Sequence, residues 1–119
     1  MNFKALATTA LIAATSLVAA PKAEAFWGPS KQDVCEANYS HVQNLRNGIF
    51  SNLGLGTPNW TGSVASANKN ANAPALGYKV ITGCVTQYTY DGTTYIQGYN
   101  VEKTGDQYYI SLAPHIQLG

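Results

Sequence analysis

The chain has 119 residues, 45% of them hydrophobic and only 11% charged, against about a quarter charged in ordinary globular chains. Its polarity comes from Asn, Gln, Thr, Ser, Gly and eight Tyr, which excludes a disordered polyelectrolyte. That length is enough for one small domain and little more.

The first 25 residues read as a signal peptide. Lys4 supplies a positive start, Ala5 to Ala20 is an apolar run softened by Thr and Ser, and Ala23-Glu24-Ala25 has the small-x-small form of a cleavage site. The run is shorter than the roughly 20 residues that span a bilayer, so residues 26–119 are expected to form a single secreted or periplasmic domain with no transmembrane segment. In that span Lys31, Arg46, Lys69, Lys79 and Lys103 balance Asp33, Glu36, Asp91, Glu102 and Asp106. Scattered, neutralised cations of this kind argue against a nucleic-acid binder, which needs clustered Lys and Arg to displace counterions, and against docking on anionic lipid.

Ser30 to Leu53 has helical period. Cys35, Tyr39, Val42, Leu45, Ile49, Phe50 and Leu53 fall on one side and polar residues on the other. Ser30 or Asp33 is placed to cap the start, and Gly54 sits where a left-handed closing residue belongs. Gly48 predicts a bend or an end near Asn47-Gly48. Arg46 interrupts the apolar stripe; either its stem packs while its head snorkels to water, or it is buried against a partner or an anionic ligand.

Gly54 to Gly77 is rich in Gly, Asn and Pro, with Trp60 its one large apolar anchor. It reads as a long loop in which Ser63 to Asn70 could form a short helix. A loop of that length is often functional or mobile.

Tyr78 to Leu112 reads as a three-stranded antiparallel meander, with Asp91-Gly92 in the first turn and Thr104-Gly105 in the second. These turns place Val80, Cys84, Tyr88, Tyr95, Tyr99, Val101, Tyr108, Ile110 and Leu112 on one face, with Cys84 opposite Tyr99. Ala113-Pro114 ends the third strand. The expected fold is α+β: one N-terminal amphipathic helix packed on a three-stranded meander and joined to it by a long loop. A disulfide between Cys35 and Cys84 pins the two together, as suits an oxidising compartment, and is worth roughly 4 kcal/mol on the chain-entropy account.

No catalytic arrangement emerges. Asp91 and Asp106 are explained by turns, His41 lies on the flank of the helix and His115 in the C-terminal tail, and nothing links Glu36 with Glu102. Cys35, His41, Cys84 and His115 are scattered singly, unlike the close-spaced pairs of zinc sites, so no metal and no cofactor is expected. The opposite sheet face holds Ile81, Gly83, Val85, Gln87, Ile96, Gly98, Asn100, Tyr109 and Ser111. There Val85 should face Gly98, which faces Ser111, and Gly83 should face Asn100, which faces Tyr109. Glycines inside strands mark close approach by another backbone or by a ligand. Trp60, Val85, Ile96, Gly98 and Tyr109 are therefore the candidate interaction surface, either covered by the loop with Trp60 as the plug or open to a partner. The leading expectation is a non-enzymatic exported domain that binds a protein partner or an envelope glycan. The alternatives are a self-assembling cell-surface protein, favoured by charge-poor strands, and an inhibitor of an extracellular enzyme that inserts the Gly54 to Gly77 loop.

Overall fold

A computed structural model describes residues 29–118. The signal peptide expected over residues 1–25 lies outside the described residues. The fold is α+β, but it has two helices and a larger sheet in place of one helix and three strands. Helix α1 spans Lys31–Ala37 and α2 spans Tyr39–Asn52; the strands are β1 Asn59–Ala67, β2 Lys79–Tyr90, β3 Thr93–Thr104, β4 Gln107–Leu112 and β5 Ile116–Gln117. All pairings are antiparallel, in the order β1-β2-β3-β4, with β5 pairing β3 beyond the end of β4. Among the described residues no helix is long and apolar enough to cross a membrane.

The helical segment starts on a capping box. Asp33 N–H donates to Ser30 Oγ at 3.0 Å while Ser30 N–H donates to the Asp33 carboxylate at 3.3 Å, satisfying two orphan donors of the first turn. It breaks at Asn38, not at Gly48. Asn38 is fully buried, with φ −104° and ψ 1°, and its side-chain amide donates to Val34 O at 2.9 Å. That carbonyl would otherwise serve the continuing helix, which is how Asn competes with the backbone. Gly48 passes unbroken within α2. The helix closes where Gly54 predicts: Gly54, at φ 75°, donates to Ser51 O and Leu55 N–H to Phe50 O, the paired bonds of a Schellman motif.

Residues 59–67 of the expected loop form an edge strand, and no helix forms over Ser63–Asn70. Its partner pattern is interrupted by a bulge between Trp60 and Val64, where Gly62 takes φ 92°. Its outer edge is guarded. The Gln32 side chain from α1 donates to Val64 O at 2.7 Å and accepts from Ser66 N–H at 2.9 Å, and Tyr39 OH accepts from Gly62 N–H at 3.2 Å. Side chains thus occupy backbone groups that an added strand would use.

The β2–β3 turn is as expected, with Asp91 and Gly92 both at positive φ, 53° and 78°, as a type I′ turn requires. The second turn differs. Thr104 pairs with Gln107, so the turn residues are Gly105 and Asp106, with Gly105 at φ 57°, the position where a type II′ turn demands glycine. The β3–β4 register is consequently two residues from the expected one: Asn100 faces Ser111, and Tyr109 faces Glu102. A shift of two keeps every side chain on its face, which is why Tyr108, Ile110 and Leu112 still enter the core. A bulge between Val80 and Thr82 does exchange faces: Ile81 packs on the helix side, while Val80 pairs with Glu102 on the other.

The core lies between the helices and this sheet face. Cys35 and Cys84 are joined by a disulfide inside it, surrounded by Val34, Val42, Tyr99, Val101, Ile110 and Leu112. A second cluster joins Phe50, Tyr88 and Tyr95.

Candidate functional site

The far face of the sheet, away from the helices, divides into a covered end and a bare end. The cover is a strap, residues 68–78, that runs from β1 back to β2 across the face. Two glycines admit it. A methyl group built on Gly83 would lie 2.0 Å from Asn68 O, and one on Gly98 would lie 2.2 Å from Asn70 Nδ2, so the strap backbone in the first case and the Asn70 side chain in the second would have to shift. Hydrogen bonds then hold the strap down. Asn70 N–H donates to Asn100 Oδ1 at 2.7 Å and Asn100 Nδ2 donates back to Asn70 O at 3.0 Å. The Glu102 carboxylate accepts from Leu76 N–H at 3.2 Å and from Tyr78 N–H at 2.9 Å, and Ser111 Oγ donates to Pro74 O. Tyr78 stacks on Tyr109 at 4.8 Å. Between strap and sheet lies a cleft of about 530 Å³.

The bare end holds Val85 and Ile96, both half-buried. Ile116 pairs with Ile96 and therefore shares its face; it is 57% exposed. Leu118, two residues on, is anchored through its N–H to Thr94 O at 2.8 Å and remains 41% exposed. A shallower groove of about 320 Å³ adjoins Val85, walled by Thr61, Ser63 and Gln87.

Five residues expected to form one surface are thus dispersed. Val85 and Ile96 stay together on the bare end, Gly98 is buried beneath Asn70, and Tyr109 belongs to the strapped end. Trp60 lies on the other side of the sheet, where its indole N–H donates to Asn47 Oδ1 at 2.9 Å and its ring packs on Tyr88 at 4.8 Å. It is neither the plug of the far face nor an open platform. Ile116 and Leu118 escaped notice because Ala113-Pro114 reads as the end of the sheet; the alternation Ile116-Gln117-Leu118 is their one signal.

Arg46 and His115 are both drawn inside. Arg46 is 0% exposed, its Nε donating to Gln97 Oε1 at 2.9 Å and its terminal nitrogen to Ala113 O at 3.4 Å, so it does not snorkel. Burial pulls its pKa below the usual arginine value, with the neighbouring Tyr88 opposing the shift. Burial pushes the Tyr88 phenol upward, and Arg46 offsets this in part. Tyr88 OH and His115 Nδ1 share a hydrogen bond, and the His115 ring stacks on Tyr95 at 4.8 Å. His41 has its pKa lowered by burial, and its Nε2 has no hydrogen-bond partner among the described residues. Among the described residues no three His, Cys, Asp or Glu side chains gather to hold a metal ion.

Comparison with known proteins found no matching family model, no matching curated protein and no matching solved structure.

Proposed function

We propose that the chain is an exported, non-enzymatic domain that binds a protein partner or an envelope component through the bare end of its far face. The observation that carries this reading is the placement of Val85, Ile96, Ile116 and Leu118 together on the part of the far face that, among the described residues, the strap leaves open, Ile116 and Leu118 being 57% and 41% exposed. Clustered aliphatic exposure on a chain this small is a mark of docking surfaces. Aliphatic side chains gain from burial against another apolar surface, which a protein partner supplies more readily than a hydroxyl-rich glycan. Export is supported by the pattern of residues 1–25 and by the Cys35–Cys84 disulfide, a bond that persists in oxidising compartments.

A binding rather than catalytic role is supported by the tasks of the acidic groups. Asp33 caps α1, Glu36 accepts from Gln32, Asp91 and Asp106 form turns, and Glu102 holds the strap. Self-assembly by edge pairing is disfavoured by the guarded β1 edge and by the burial of Ile110, Ser111 and Leu112 on β4 to 1–2% exposure. The inhibitor reading depended on a free Gly54 to Gly77 loop, and that segment is instead consumed by β1 and the strap.

The test is capture of partners from the native extracytoplasmic compartment with the wild-type domain and with Ile116→Asp. The variant should lose the captured partner while its melting temperature stays within a few degrees of wild type, because Ile116 is mostly exposed. Equal capture by both proteins would remove the bare end from the function.

A further inference from the structure

The cleft beneath the strap carries a second site, independent of the bare end. Two opposite charges line it. Glu102, 2% exposed, contributes its carboxylate, and Lys69 contributes an exposed ammonium at the start of the strap. Among the described residues the two form no ion pair with each other or with any other group, so neither charge is neutralised by a protein partner. Each Glu102 oxygen accepts one backbone N–H, and a carboxylate oxygen has capacity for a second donor. The rest of the lining is mixed: Ala71, Ala73, Ala75 and Val80 are apolar, Asn70 and Asn100 add amides, and Tyr78 adds a ring. The volume of about 530 Å³ lies in the range of small-molecule sites.

We propose that this cleft binds a small zwitterion, a free amino acid or a short peptide with both termini charged, its ammonium at Glu102 and its carboxylate at Lys69. A purely cationic ligand would meet Lys69 and a purely anionic one would meet the buried carboxylate. A ligand carrying both charges complements both ends at once.

The experiment is an amide-resolved NMR titration of the isotope-labelled domain with alanyl-alanine, and in parallel with the same dipeptide acetylated at its N-terminus and amidated at its C-terminus. The free dipeptide should give saturating shifts at the Leu76, Tyr78 and Asn100 amides, and the capped one should give none. Lys69→Gln, a change at an exposed side chain, should weaken binding about two- to fivefold, as expected for losing one solvent-exposed ion pair. Glu102→Gln should abolish it; because that variant also loosens the strap, Lys69→Gln provides the reading on intact protein. Ile116→Asp should leave the titration unchanged, so failure here and failure of the docking surface are separate results. Equal binding of the capped dipeptide, unchanged affinity in Lys69→Gln, or no shifts at millimolar dipeptide would each overturn the proposal.

Discussion

The two faces of the sheet are held by different forces. The helix side is closed by apolar burial: tyrosines, valines and a disulfide form a layer in which contacts are many and individually weak. The far side is closed by a strap of Ala, Asn and Pro that buries little apolar surface and relies on hydrogen bonds from Asn100, Glu102 and Ser111. A hydrophobic face tolerates imprecise partners, whereas a hydrogen-bonded one depends on particular atoms at particular distances. The two should therefore respond differently to substitution.

The largest effect is expected on the helix side. Cys84→Ala removes the cross-link between α1 and β2 and should destabilise by about 2–5 kcal/mol, measured by denaturant unfolding with unchanged strand content by circular dichroism. A loss below about 1 kcal/mol would mean that the apolar layer suffices without the bond.

On the far side, a pair of glycines sharpens the contrast. At Gly83 the obstructing atom is the backbone oxygen of Asn68, which can move only with the strap, whereas at Gly98 it is the amide end of the Asn70 side chain. Gly83→Ala should cost about 1–3 kcal/mol, the range for overpacking, and should expose the strap amides to hydrogen exchange. Gly98→Ala should cost less, because a side chain can rotate away. Equal costs would show that the strap moves freely at both points.

The smallest effect tests a position outside either contact. A Cβ on Gly48 would meet nothing within 4 Å, and the residue lies inside α2. Gly48→Ala should stabilise by about 0.5–1 kcal/mol through helix propensity alone. A destabilisation on thermal melting would show that α2 needs flexibility there.

Much of the helix side is legible before any folding is considered. The helical stripe and the alternation of β2, β3 and β4 each place a cysteine on an apolar face, and the two faces must then meet. The far side is less so. The placement of Val85 and Ile96 follows from the Asp91-Gly92 turn alone, yet the strap that separates them from Gly98 and Tyr109 has no periodicity. Strand β1 is similarly silent: only Val64 of its nine residues is buried, so no alternation marks it.

Local sequence determined the helix start near Ser30, the Gly54 closure, the Asp91-Gly92 turn and the alternation through β2 to β4. Two further local features, the break at Asn38, whose amide takes the Val34 carbonyl four residues back, and the turn at Gly105-Asp106, where glycine takes the first position, lie in stretches whose pattern equally fits a continuous helix and a turn one residue earlier. Tertiary structure decided the rest. Arg46 and His115 are buried because Gln97, Ala113 and Tyr88 lie within reach. Trp60 leaves the far face because β2 offers an edge to pair with. For these three residues the deciding partner is distant in sequence, and its contribution, a hydrogen bond made or a ring packed, comes into being only once the chain has closed on itself.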